Sequence, residues 1–267
     1  MVEVEVKVKS LTVVNYSMPE KYEILEEWRI NIDGRTLHRI RALCDIYTPF
    51  FYVPKGWLGG YVESEDNLSQ EGRAWVDDDA IVCDEAWISG NAVVCDYAMI
   101  CDEARVDGNA LVHDEARVRN RAHVCGNAVV GGNAVVCDEA RVDGNAVVRD
   151  YAKVCDRAVV RDYAVVRDYA KVCDRARVGG NAVVCDEAWV GGNTVVQEEA
   201  WVGGQTIIFG DVIVGGRARI GGGSVINFPC VIRDVEVYKF QFPQIEIRTK
   251  EDLENLTRAL YSLQKKI

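Results

Sequence analysis

Alanine returns at every sixth residue from Ala74, and an aliphatic residue stands two places after each one. The small slot runs through Ala80, Ala86, Ala92 and Ala98 to Ala200, with Thr194 standing once in its phase. Thr206, Val212, Ala218 and Ser224 extend it, so the slot is filled 26 times without an insertion. Val76, Val82, Ile88 and Val94 begin the aliphatic slot. A period this short decides the architecture before any single element is assigned. The Ala-x-Val triplet alternates inward and outward as a strand must, and the next three residues, such as Cys-Asp-Glu or Asp-Gly-Asn, are turn formers. A three-residue strand buries almost nothing alone, so the chain has to coil and stack each strand on the next turn.

A second period gives the size of a turn. Similar 18-residue blocks begin at Cys83, Cys101, Cys137 and Cys173, all offset by multiples of 18. Three hexads therefore close one coil. With coils about 4.8 Å apart, as neighbouring strands are, the repeat makes close to nine coils and a prism on the order of 42 Å long. Residues 73–228 form this β-helix, residues 1–72 an N-terminal β cap and lead-in, and residues 229–267 a returning edge segment and a C-terminal helix.

An aliphatic residue followed four later by a small one, as in Val142 with Ala146 or Val148 with Ala152, resembles the hexapeptide-repeat family. That resemblance implies a left-handed triangular parallel β-helix, against the usual right-handed crossover. It implies little about activity, because this fold hosts acyltransferases as well as proteins without chemistry. Upstream, the stretch from Gly56 to Val76, with "LGGYVE", "NLS" and "AWV", is similar to the lead-in of uncharacterised bacterial and prophage β-helix proteins. That likeness implies no catalytic residues.

At the ends the hexad is absent. Val2, Val4, Val6 and Val8 alternate with charge, and residues 27–43 read as strand, Asp33-Gly34 hairpin turn, strand. Near the C-terminus Thr249 is a helix cap, with Leu253, Leu256, Leu260 and Leu263 on one face and Lys265 and Lys266 at the end.

The net charge of -11 disfavours nonspecific binding to nucleic acid or anionic membrane. No run of about 18 apolar residues can span a membrane, and the N-terminus has no apolar signal core. The cytoplasm is the expected location, with all ten cysteines as free thiols.

Catalysis finds little support in these residues. Hexapeptide acyltransferases generally use a histidine base beside a loop that closes a cleft. Of three histidines, His38 falls in the cap, while His113 at a corner and His123 on an outward strand position are the catalytic candidates. No loop shelters either one, so water exclusion lacks a basis. No cofactor is expected. Cys83, Cys101, Cys137, Cys155 and Cys173 share a corner column, and Cys137, Cys155 and Cys173 are the candidates for a soft metal, without the C-x-x-C spacing of tetrahedral sites. Small half-buried corner residues explain the column better than a metal does. The aspartates that follow are expected to bond local turn amides.

The outward positions sort by face. One face carries Trp75, Val93, Leu111, Val129, Val147, Val165, Val183 and Trp201 without a charge, whereas Arg and Lys punctuate the other two. A stripe of that length exceeds the few hundred Å² that a monomer leaves exposed. The expectation is a noncatalytic homo-oligomer, a dimer or trimer, serving as a scaffold or as the binding surface for another protein. An acyltransferase with a site between subunits, and an acidic mimic that inhibits a host protein, are the alternatives.

Overall fold

The computed structural model describes residues 20–238 except Asp33, without the side chains of residues 27–32 and Tyr238. The expected valine-rich strand at residues 2–8 and the helix after Thr249 lie outside the described residues.

Each Ala-x-Val triplet forms a two-residue strand that pairs in parallel with the strand 18 residues on. Trp75–Val76 pairs with Val93–Val94, Ile81–Val82 with Met99–Ile100, and Trp87–Ile88 with Arg105–Val106. Among the described residues, the repeat together with strands of the cap makes three sheets of 12, 9 and 10 strands around one core. They are called here the Ile81, Trp87 and Trp75 faces. The result is an all-β parallel solenoid of about ten turns, one more than the hexads alone give. The inward columns from Ala74 to Ala200 and from Val76 to Val202 are fully buried. A methyl beside a branched aliphatic fills the narrow interior at each level, where larger residues would be overpacked.

The extra turn comes from both ends. Cys230–Arg233 and Glu236–Tyr238, expected to return along an edge, instead pair in parallel with Val212–Gly215 and Arg219–Gly221. Pro229 breaks the hexad, but Ile232 and Val237 still pack against the last coil's core, and that burial holds the coil direction.

At the other end β1 (Tyr22–Ile32) and β2 (Arg35–Ala42) form the expected hairpin, with Gly34 at φ 82° in its turn. A short hairpin of β3 (Ile46–Tyr47) and β4 (Tyr52–Val53) leads to β5 (Leu58–Val62). β5 pairs antiparallel with β2 and parallel with Ile81–Val82, so the cap extends the Ile81 face. The Gly59-Gly60 pair allows that approach, because a Cβ on Gly59 would collide with the Val76 carbonyl oxygen. Asn67, buried in the "NLS" segment, donates through Nδ2 to the carbonyls of Asp84 and Ala86 at 2.9 and 3.0 Å, fastening the lead-in to the first coil.

The corners explain their own sequence. The middle residue of the three has positive φ in every column, and the non-glycine residues that adopt it are Asp, Asn and Glu198, at φ between 52° and 63°. Asp and Asn tolerate this left-handed region better than other side chains do. Their carboxylates were expected to bond amides of their own turn. They accept instead from the equivalent amide one coil later: Asp138 Oδ2 from Asp156 N at 3.3 Å, Asp156 Oδ2 from Asp174 N at 3.2 Å, and Asp174 Oδ2 from Gly192 N at 2.7 Å. In-register stacking places that amide directly above the carboxylate. Asp156→Ala therefore removes the acceptor and strains the backbone, and should cost roughly 1–3 kcal/mol. Asp156→Gly should cost less and Asp156→Asn least, an order that denaturant midpoints will check.

Lys21 closes the cap end. It is buried, and its Nζ donates to the Ala74 carbonyl at 2.9 Å. Burial lowers its pKa to about 8, from 10.5. The unfolded chain thus holds this proton more tightly between those values, and the lysine's contribution to stability rises with pH from about 8 to 10.5. The stability difference between wild type and Lys21→Met should shift in favour of wild type across that range, by up to about 3 kcal/mol, measured by denaturation at pH 7 and pH 10.5.

Candidate functional site

The apolar stripe is present but shorter at one end than the sequence suggests. Trp75 and Val93 are fully buried within the chain. Trp75 lies against β5, and its Nε1 shares the Asp77 carboxylate with Trp57 Nε1, at 3.2 and 2.9 Å. Neither residue is available to a partner, because the cap occupies that end of the face. Leu111, Val129, Val147, Val165, Val183 and Trp201 remain, stacked in register and half-buried, and exposed Arg219 ends the column. At a strand spacing of about 4.8 Å the open stripe is roughly 24 Å long.

Its borders add residues that outward-face counting missed. Along one edge, Asn91, Asn109, Asn127 and Asn145 form a ladder of amide bonds at 2.9, 3.0 and 3.1 Å, followed by exposed Tyr163. Along the other, exposed Tyr151 and Tyr169 stack with centroids 5.0 Å apart and planes 6° off parallel. The signal was the 18-residue offset applied to corner positions as well as strand positions.

The two candidate histidines do not meet. His113 sits at the corner between the Trp75 and Ile81 faces, its Nδ1 3.0 Å from Asp114 Oδ2 and its ring over Gly131. His123 sits on the Trp87 face, with Nε2 2.8 Å from Asp107 Oδ2. A hydrogen bond with Cys125 raises the His123 pKa, burial opposes this, and Asp107 adds to the rise. Sequence reasoning missed that cluster, since Asp107 and Cys125 are joined only by the coil spacing.

Cys137, Cys155 and Cys173 do stack, with Val135 and Phe209 packed against them. All ten cysteines are free thiols. Hydrogen bonding to Cys137 and Cys173, followed by burial, pushes the Cys155 thiol far up. Burial and Asp186 raise Cys185 to about 12. A groove of about 580 Å³, open to solvent, follows the same corner past Asp138, Glu139, Asp156, Arg157, Asp174 and Arg175. It is apart from both histidines. Among the described residues, no helix is long and apolar enough to cross a membrane.

No protein-family model matches this chain, and comparison with curated proteins gives no match. Its chemistry must be read from the geometry. In the native state at pH 8, iodoacetamide should label exposed Cys44 first, whereas Cys155 and Cys185 should resist until denaturant is added. Peptide mapping by mass spectrometry will check that order.

Proposed function

We propose that this chain is a noncatalytic β-helix of the hexapeptide-repeat type, left-handed and of phage-derived origin, that self-associates and serves as a scaffold or protein-binding surface. The observation that carries this reading is the in-register column from Leu111 to Val183, closed by Trp201. It is free of charge on one face, while Arg and Lys interrupt the other two. An apolar stripe rimmed by polar residues is the usual character of a protein contact surface. The exposed tyrosines on both borders support it, because aromatic residues are enriched where proteins meet.

Face-to-face packing of two such stripes would hide the valines and draw the bordering tyrosines into the contact, while the asparagine ladder forms its polar rim. Catalysis is the weaker reading: the groove along the acidic corner is not lined by His113 or His123, and both imidazoles are partly exposed to water among the described residues. Mimicry of an acidic partner draws on that groove, yet Arg157 and Arg175 offset half of its four carboxylates.

Light scattering should give a dimeric or trimeric mass for wild type. Val129→Lys combined with Val147→Lys should give a monomer whose far-ultraviolet circular dichroism is unchanged. A monomeric wild type would overturn self-association through this face.

A further inference from the structure

Four groups of metal-ligating side chains occur among the described residues: Asp107, His123 and Cys125; Asp96, His113 and Asp114; Asp156, Cys173 and Asp174; and Asp168, Cys185 and Asp186. In the last three the carboxylates already hold the coils together. Asp96, Asp114, Asp156, Asp174, Asp168 and Asp186 each accept from a backbone amide one coil later. Drawing them onto a cation would leave those amides unpaired, at about 1–3 kcal/mol each.

The first group differs for a reason rooted in its corner. Asp107 occupies the first of the three corner positions, ahead of Gly108, so its carboxylate bonds His123 instead of a backbone amide. Cys125 is followed by Gly126, and so lacks the carboxylate that receives the thiol of Cys137, Cys155, Cys173 and Cys185. Three donors of different type thus converge on two adjacent coils, their ligand atoms within 4.8 Å of one another and none of them bonded to a backbone amide of the next coil among the described residues.

We propose that Asp107, His123 and Cys125 bind one zinc-class divalent ion, with the fourth position open to water. Bonds of about 2.0–2.3 Å in a tetrahedron set ligand atoms roughly 3.3–3.8 Å apart. The 2.8 Å His123–Asp107 contact opens to admit the ion, and the 4.8 Å limit on the separation of all three ligand atoms leaves only small side-chain shifts. Cys125 is 7 % exposed, which shields the thiolate, while the half-buried histidine and aspartate leave a solvent side. Binding releases the thiol proton, and the imidazole binds in its neutral form.

Arg141 supplies the outer shell. Its Nε donates to Asp143 Oδ2 at 2.8 Å and its Nη2 to Cys125 Sγ at 3.7 Å. Asp143 offsets the guanidinium charge, and the N–H directed at sulfur orients the ligand. Arg105 and Arg141 also pair with His123 on either side in the sheet. Two neighbouring cations disfavour calcium or magnesium, which need several oxygen ligands. An ion that bonds strongly to sulfur and nitrogen tolerates them better.

The test is titration of the reduced, metal-free full chain with Zn²⁺ against a chromophoric chelator, together with Co²⁺ absorption spectra. The expected result is one tight site per chain and a thiolate-to-cobalt band in the near ultraviolet. Cys125→Ser should abolish the band. His123→Gln and Asp107→Asn should each weaken Zn²⁺ binding about ten-fold or more, and Cys173→Ala should change neither. Far-ultraviolet circular dichroism confirms that each variant is folded. Absence of a stoichiometric site in wild type overturns the proposal independently of any variant. So does a site that survives in folded Cys125→Ser, or one lost in Cys173→Ala, which would place the ion at the acidic corner.

Discussion

The register of 18 residues between coils is the constraint on which the structure rests. A two-residue strand has no stability of its own, so each draws its hydrogen bonds from the coils before and after it. The corners share this dependence. Asp138, Asp156 and Asp174 reach the amide of the next coil, which makes each turn a further inter-coil tie. An insertion of one residue would misalign backbone ladder, carboxylate column and core column together. This accounts for the absence of insertions from Ala74 to Ser224.

The same register turns a linear repeat into surface columns. Whatever side chain occupies a given position is set beside its counterparts at strand spacing, and like residues accumulate into ladders of asparagine, thiol, carboxylate or valine. Most of these ladders are internally satisfied: the asparagines bond each other, and the aspartates bond amides. The valine stripe differs, because apolar side chains gain from leaving water and the described residues fully bury only its first two levels, Trp75 and Val93. The Asp107, His123 and Cys125 group differs in another way, since glycines at positions 108 and 126 remove the usual partners.

Much of this was legible in the repeat. Strand faces, coil size and the outward columns followed from two periods, because a stack of identical turns leaves no freedom in which residues meet. The cysteine column was legible for the same reason. The His123 cluster was not, because its members sit 16 and 18 residues apart on a strand and a corner, and their meeting depends on the imidazole ring reaching back across a coil. The fate of Trp75 was equally hidden. It has the same outward slot as Trp201, and only the path of β5 across the first coil buries it.

The sequence alone determined a three-sided all-β coil with a small-plus-aliphatic core and an uncharged column on one face, since these are properties of spacing. Tertiary structure decided where carboxylate hydrogen bonds go, how much of the apolar column the cap leaves open, and that residues 230–238 continue the coil. Those outcomes turn on side-chain reach and on the packing of nonrepeating segments against the prism ends, and neither is encoded in a period.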